Sequence, residues 1–417
     1  MFKKHKLIIK KNEFFLYNLN KIDYKIKNNF FNDNKNVKYI KIIFRGLNFF
    51  LSFKDQNNEI YIIEIPNFIN LHDNLNYIYK NKIFKKNWYS NKYYNFDDIE
   101  KINPQIIDLQ ILNPSKKNII VNTLDEYYGH SIYKIINSID LLENSDDYNL
   151  IIVCQKKLKW MFENANICKF IIFPNKANIS KYLINLDKIL NNIISQNNNF
   201  YYTIFKPHPF KNFDSDYLIN RSPFNLKNFD KKPYNITFVY RSDRLWHSNL
   251  LERKIFHFSL RYNIKPLGSL IAFFNNLKIK KLYDELKKTL GEDYNFNIIG
   301  DGNRFFKKKI KDNRKNNFSK KYDLEYFKIL SESHVSIGIQ GSNMIFASYL
   351  SGGFIEIIPD YDEENYLNDI ILNKKNNYNT LYFSRFTYEF PTYKYISKLT
   401  ANMILKYKHY KDVGIIK

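Results

Sequence analysis

The sequence predicts an α/β protein of two Rossmann-like parallel-sheet domains facing a cleft, preceded by a β-rich N-terminal extension. Three observations carry that expectation. From Asn118 onward, short apolar runs alternate with helical patterns, the rhythm of βαβ units in a parallel sheet. The alternation stops at a polar stretch, residues 211–234, which contains Pro223 and Pro233, and then resumes, as a linker between two such series would make it do. The third is VSIGIQGSNMIFASYLSGGFIEIIPD, Val335 to Asp360, where strand, polar turn, small-residue helix and second strand follow one another directly.

Residues 1–117 form the N-terminal extension, in which KYIKIIFRGLNFFLSF and EIYIIEIP read as strands from their β-branched and aromatic content. The first Rossmann-like domain spans 118–232. NIIVNT is its first strand. HSIYKIINSIDLL places Ile132, Ile135, Ile136, Ile139 and Leu142 on one helical face. NLIIVC is a strand, KKLKWMFEN a helix, KFIIFP a strand, ISKYLINLDKILNNIIS a longer helix, and FYYTIFKPHPF closes the series. The second domain spans 233–394. Its strand ITFVYR leads into a helical region from Leu250 to Leu290 that breaks near Pro266-Leu267-Gly268. FNIIGDG is a strand and LEYFKILSES a helix; after the Val335–Asp360 unit come a helix in YDEENYLNDIIL and a strand in TLYFSR. Residues 395–417 make a terminal helix.

Composition narrows the function classes. With 44% hydrophobic and 18% aromatic residues the chain is not disordered. Its 65 basic against 41 acidic residues give a formal charge of +24, which ordinarily points to nucleic acid or an anionic surface. The crowding of Lys, Asn, Ile, Tyr and Phe beside only five alanines also fits an AT-rich coding bias. No RNA- or DNA-binding motif accompanies the charge, so nucleic acid is not the expected partner. Arg304–Lys321 holds nine basic residues and reads either as a solvated run or as a peripheral contact with anionic membrane. Cys154 and Cys168 are too few for a disulfide scaffold or a metal knuckle. There is no signal-peptide pattern and no uninterrupted apolar span of membrane length. A cytoplasmic protein is expected, with the inner membrane face as its one possible anchor.

The candidate site residues fall at strand ends, where open α/β sheets gather ligands. Arg241 and Arg244, in Arg241-Ser242-Asp243-Arg244, follow the first strand of the second series. Two guanidiniums there suit a diphosphate, although Asp243 equally suits a structural clamp with either. Gln340, Gly341, Ser342 and Asn343 form the next such turn. Gly341 permits close backbone approach, and Ser342 and Asn343 are expected to cap the following helix and offer polar groups to a phosphate. Glu356, one acid in an apolar strand, is placed to accept from a ribose hydroxyl or to pair locally. In the first series, Asp125-Glu126-Tyr127-Tyr128-Gly129-His130 precedes a helix. His130 is the candidate general base, with Asp125 and Glu126 as rivals; helix capping is the plainer role for it. Lys206-Pro207-His208-Pro209 and Gly300-Asp301-Gly302-Asn303 read as loops that line the site or merely turn the chain. No HExxH pair, Walker loop, GxSxG elbow or strand-borne GxGxxG is present. Neither a cofactor nor a metal is expected.

The segment IGIQGSNMIFASYLSGGFIEIIP resembles the donor-site signature of glycosyltransferase family 61 and related capsule-type transferases, in which Gly-His-Gly-Ala precedes Asn, an apolar Phe and Glu-x-x-Pro. YGHSIYKIINSIDLL resembles the family's motif of a His before an amphipathic helix. VYRSDRLW followed by Glu252 resembles its strand-Arg motif. The resemblance covers roughly residues 118–360 and implies a GT-B fold with metal-independent, inverting transfer from a nucleotide sugar. It carries roles onto His130, Arg241, Gln340, Gly341, Ser342, Asn343 and Glu356. Gln340 stands where the family has His and cannot supply a proton.

The expected function is therefore transfer of a sugar from a nucleotide-sugar donor to a glycan or lipid-linked acceptor, in surface polysaccharide biosynthesis. Pyruvyl transfer or nucleotide-sugar epimerisation would use a similar fold. A basic nucleic-acid-binding protein is the alternative of another class.

Overall fold

The computed structural model describes residues 15–18, 37–45, 48–55, 60–65, 77–79, 82–83, 99–125, 128–175, 177, 181–196, 200–204, 216–307, 309–316, 319–359, 370–371 and 383–412, with side chains from residue 99 onward except at Tyr182, Ile204, Asp216, Tyr410 and Lys411. The chain divides into two compact units, Met1–Phe210 and Lys211–Lys417. The division falls at the start of the polar stretch 211–234, not at its end.

In the first unit, β1 (Phe15–Asn18) is followed by an antiparallel meander of β2 (Val37–Arg45), β3 (Asn48–Asp55), β4 (Ile60–Ile65), β5 (Tyr77–Tyr79) and β6 (Lys82–Ile83). β7 (Ile99–Glu100) pairs with β12 (Tyr182–Leu183). The main sheet holds β8 (Gln105–Asp108), β9 (Lys117–Asn122), β10 (Tyr148–Gln155), β11 (Ile167–Phe173) and β13 (Phe200–Ile204), in the order β1-β13-β9-β10-β11-β8. β13, β9, β10 and β11 run parallel, while β1 and β8 flank them antiparallel. Residues before 118 thus supply both edges of this sheet. The four parallel strands, counted along the chain, lie in the order 3-2-1-4. Their apolar runs are buried end to end, as in NLIIVC, where Leu150 to Cys154 are all at 0% exposure, because a parallel sheet is covered on both faces.

Among the described residues the second unit has one six-stranded sheet, of β14 (Tyr234–Tyr240), β15 (Tyr294–Gly300), β16 (Lys311–Asp312), β17 (Val335–Ile339), β18 (Phe354–Ile357) and β19 (Arg385–Thr387). Every pairing is parallel and the order is β16-β15-β14-β17-β18-β19. Along the chain this reads 3-2-1-4-5-6, the doubly wound Rossmann order. Alternate residues separate its two faces. Ile236, Phe238, Ile298, Ile337 and Ile355 belong to one core with Ile279, Leu282 and Leu286 of the Lys265–Leu290 helix and Ile396 and Met403 of the Tyr393–Leu405 helix. Gly338, on the opposite face, abuts Met344 so closely that a Cβ there would lie 2.4 Å from its sulfur.

Several local expectations need correction. The helical region 250–290 breaks at Tyr262–Ile264, before Pro266; the helices are Leu250–Arg261 and Lys265–Leu290. Asn263 takes a positive φ of 54°, and Pro266 sits in the first turn of the second helix, where its missing N–H costs nothing. KKLKWMFEN is a 3₁₀ segment, Lys156–Phe162, and not an α-helix. The first helix of the parallel series is interrupted at Ser138. The strand expected in TLYFSR begins at Arg385, and most of the helix expected in YDEENYLNDIIL lies outside the described residues. No helix among the described residues is long and apolar enough to cross a membrane.

Candidate functional site

In a 3-2-1-4-5-6 sheet the chain leaves strand 1 toward one side and strand 4 toward the other, opening a crevice at their carboxyl ends. Here those strands are β14 and β17. Arg241–Arg244 leaves β14 and Gln340–Asn343 leaves β17, so the fold joins two motifs a hundred residues apart.

The joint is tight. Gly341 has φ +138°, and a Cβ on it would stand 1.8 Å from Arg241 Nη1 and 3.6 Å from Arg244 Nη1. Arg244 Nη1 donates to the Gln340 carbonyl at 3.1 Å. Arg241 donates to both carboxylate oxygens of Asp243, through Nε at 2.9 Å and Nη2 at 2.6 Å. Asp243 is partly desolvated, which opposes its ionisation, yet the hydrogen bonds and charge of Arg241, with Arg244 beside them, hold its carboxyl below the ordinary carboxylate range. The clamp and the cluster therefore coexist: Asp243 fixes one edge of the guanidinium and Gly341 receives the other. On the β15 side, the Ser242 backbone N–H donates to Asp301 at 3.1 Å, and the Ser242 hydroxyl binds the same oxygen. Gly300 has φ +112°, and a Cβ on it would come within 2.0 Å of the Tyr240 carbonyl oxygen. The Gly300-Asp301-Gly302 turn thus braces the arginine loop.

Other expected site residues are placed differently. Asn343 stands at the N-cap of the Met344–Leu350 helix with helical φ and ψ and makes no side-chain capping bond, so the expected cap is absent. The first-turn contact is instead Met344 N–H to the Gly341 carbonyl at 2.7 Å. Ser342 and Asn343 are half-buried. The side chains of Gln340 and Glu356 are inside the fold, each 1% exposed. Glu356 pairs in register with Gly338 and Phe386, within the sheet rather than on its rim.

In the first unit the corresponding strand 1 is β9, and Asp125 lies just past its end, fully buried. His130 and Lys134, one turn apart on the Tyr128–Asn137 helix, both reach it. His130 Nδ1 is 3.2 Å from Asp125 Oδ1, and Lys134 Nζ is 3.1 Å from Oδ2. Lys134 also donates to the Leu124 carbonyl at 2.6 Å. Burial pushes the Lys134 ammonium below its ordinary value, with Asp125 opposing that shift. Asp125 is thus a buried orienting group, and of the three acid–base candidates only His130, with its side chain 38% exposed, is both described and open to solvent. Glu126 lies outside the described residues, as do Lys206 to Pro209. Sequence reasoning missed Lys134, although its i, i+4 spacing from His130 was a signal.

The basic run 304–321 is not uniformly solvated. Arg314 is 2% exposed and donates to Asp312 through Nε at 2.9 Å and Nη2 at 2.6 Å and to Asn276 Oδ1 at 2.9 Å. Its guanidinium also lies 4.4 Å from the Tyr240 ring centroid. Among the described residues no group of three or more His, Cys, Asp or Glu is placed to hold a metal. The metal-free expectation passes over two Asp-x-Asp triplets, Asp214-Ser215-Asp216 and Asp360-Tyr361-Asp362, whose side chains lie outside the described residues. No family model, curated protein or solved structure matches this chain.

Proposed function

We propose that the chain is an inverting glycosyltransferase with a GT-B arrangement, moving a sugar from a nucleoside diphosphate to a hydroxyl of a glycan or lipid-linked acceptor. The observation that carries this reading is the convergence of Arg241, Arg244 and Gly341 at the switch point of a 3-2-1-4-5-6 sheet. Two guanidiniums against a side-chain-free turn suit the diphosphate that gains negative charge as the bond to the sugar breaks. In the Met1–Phe210 unit, His130 would take the proton of the acceptor hydroxyl while that oxygen bonds the anomeric carbon on the face opposite the departing diphosphate. An ionised Asp125 accepts from Nδ1–H, which assigns the basic role to Nε2.

The test is thermal stabilisation by UDP, GDP, CMP, dTDP and ADP, each with and without Mn²⁺. A ligand at 100 times its dissociation constant adds about 2.7 kcal/mol. A selective response that Arg241→Ala abolishes supports the donor site. A response only with Mn²⁺ removes the metal-free part of the proposal, and a flat panel removes the nucleotide.

A further inference from the structure

The corner formed by the Leu250–Arg261 and Lys265–Leu290 helices has a second apolar surface besides the one it packs on the sheet. Of the seventeen large hydrophobic side chains exposed among the described residues, ten are Phe305 or lie within 250–274. On the first helix Leu251 and Phe258 are seven residues apart and so share a face, which Tyr262 extends; their exposures are 67%, 51% and 58%. On the second helix Leu270, Phe273 and Phe274 stand at i, i+3 and i+4, turned away from Ile271, Ile279 and Leu282 in the core. Rings touch within each part: Phe258 with Tyr262 at 4.6 Å between centroids, and Phe273 with Phe305, of the 304–305 segment, at 5.7 Å.

The exposed charge around these side chains is mostly positive; Glu252, beside Leu251, has its side chain 18% exposed and accepts from the Ser248 N–H at 2.8 Å. No acidic residue occurs from Arg253 to Tyr283, nor from Gly302 to Lys311. Lys254, Arg261, Lys265, Arg304 and Lys307 are all exposed. A second copy of the chain would bring two such positive rims together. Nucleic acid would meet the charge and leave the leucine and phenylalanine stripes uncovered. An anionic bilayer answers both features, with phosphates for the cations and a headgroup–acyl boundary for the aromatics.

We propose that this corner, with the Arg304–Phe305 segment, docks on an anionic phospholipid surface. Phe258, Phe273 and Phe274 enter the interface while Lys254, Arg261 and Arg304 contact headgroup phosphates. The same corner borders a concavity of about 340 Å³ lined in part by Tyr240, Ser242, Leu260 and Ile264, beside the arginine loop. Docking therefore brings lipid-borne molecules to that loop. The docking stands apart from the transferase reading; only the inference of a lipid-borne acceptor rests on it.

The experiment is co-sedimentation of the full chain with vesicles of phosphatidylcholine alone or with about 30 mol% phosphatidylglycerol, at about 0.1 M and about 0.5 M salt. Binding to the anionic vesicles that persists at the higher salt is expected. Phe258→Ser and Phe274→Ser should each lower the partition coefficient about tenfold, and the double change Arg304→Gln/Lys307→Gln should lower it roughly tenfold. All these sites are exposed, and unchanged melting temperatures verify folding. Binding lost at the higher salt and indifferent to the Phe changes would reduce the effect to bulk charge and overturn the proposal. So would absence of binding, or a lipid-free dimer that Phe274→Ser dissociates. A flat nucleotide panel beside intact vesicle binding would sink the transferase reading and leave the docking standing.

Discussion

The guanidinium of Arg241 fills the space that any side chain at residue 341 would need. A Cβ there would lie 1.8 Å from Nη1, on a backbone whose φ of +138° already disfavours every residue but glycine. The turn after β17 and the loop after β14 are thus fitted to each other before any ligand arrives.

Gly341→Ala should therefore cost stability and displace Arg241 together. A loss of about 1–3 kcal/mol is expected from the backbone alone, with the nucleotide response abolished. Gly291→Ala is the control, since Gly291 also has a positive φ, +72°, but nothing within 4 Å of its would-be Cβ. Denaturant melts and the nucleotide panel on both variants separate strain from the clash with Arg241. A Gly341→Ala protein that still answers nucleotide would remove the turn from the site.

Asp125 and His130 should part company when substituted. His130→Asn leaves the buried Asp125–Lys134 pair in place, so the melting temperature should hardly move while transfer falls by about 10²–10⁴. Asp125→Asn strands a buried ammonium and should cost about 3–5 kcal/mol. Turnover and stability measured on both variants check this; a large stability loss in His130→Asn would assign His130 to packing.

Lys278 gives a pH signature. The residue is 9% exposed, its ammonium donates to the His247 carbonyl at 2.6 Å, and burial brings its pKa down to about 8. Because the folded value lies below the unfolded one, the unfolded chain binds more protons between about pH 8 and 10.5, and stability rises with pH across that window. Relative to Lys278→Met, the wild type should gain about 2 kcal/mol between pH 7.5 and 9.5. Urea midpoints at the two pH values measure it; a constant difference between the proteins would contradict the assignment.

The Asp312–Arg314 pair should behave as core, not surface. Burial works against ionised Asp312, but Arg314 and the backbone N–H groups of Phe305 and Phe306 outweigh it and hold the carboxyl below its ordinary range. Its contribution is present above the unfolded pKa and disappears as pH falls through the folded one. Asp312→Asn should cost about 3–5 kcal/mol at neutral pH. Asp284→Asn, in the exposed pair with Lys280, should cost under about 1 kcal/mol. Equal losses in urea unfolding would refute the distinction.

Much of this was legible before folding. The apolar runs of 118–173 and 234–357 mark most of the parallel strands, because a strand covered on both faces reads as unbroken Ile, Val and Phe. The arginine loop and the glycine turn were each visible. Their contact was not, because runs of this kind do not encode which strands become neighbours. Glu356 was legible as one acid in an apolar strand, while its register beside Gly338 and Phe386 depends on the strand order and was not. Asn343 looked like a cap by residue type, but the turn at Gly341 takes that conformational role. The buried Arg314 was hidden in a run of lysines, since charge density says nothing about which member finds Asp312 and Asn276.

The outer strands of the second sheet also bear on the chain's behaviour in solution. β16 and β19 have two and three residues, against seven in β14 and β15. Strand edges this short offer an approaching polypeptide few unpaired amides on which to add another strand. In a protein so rich in isoleucine, phenylalanine and tyrosine, that truncation works against fibrillar self-association, and lengthening either edge by design would be expected to lower solubility before it disturbed the arginine loop.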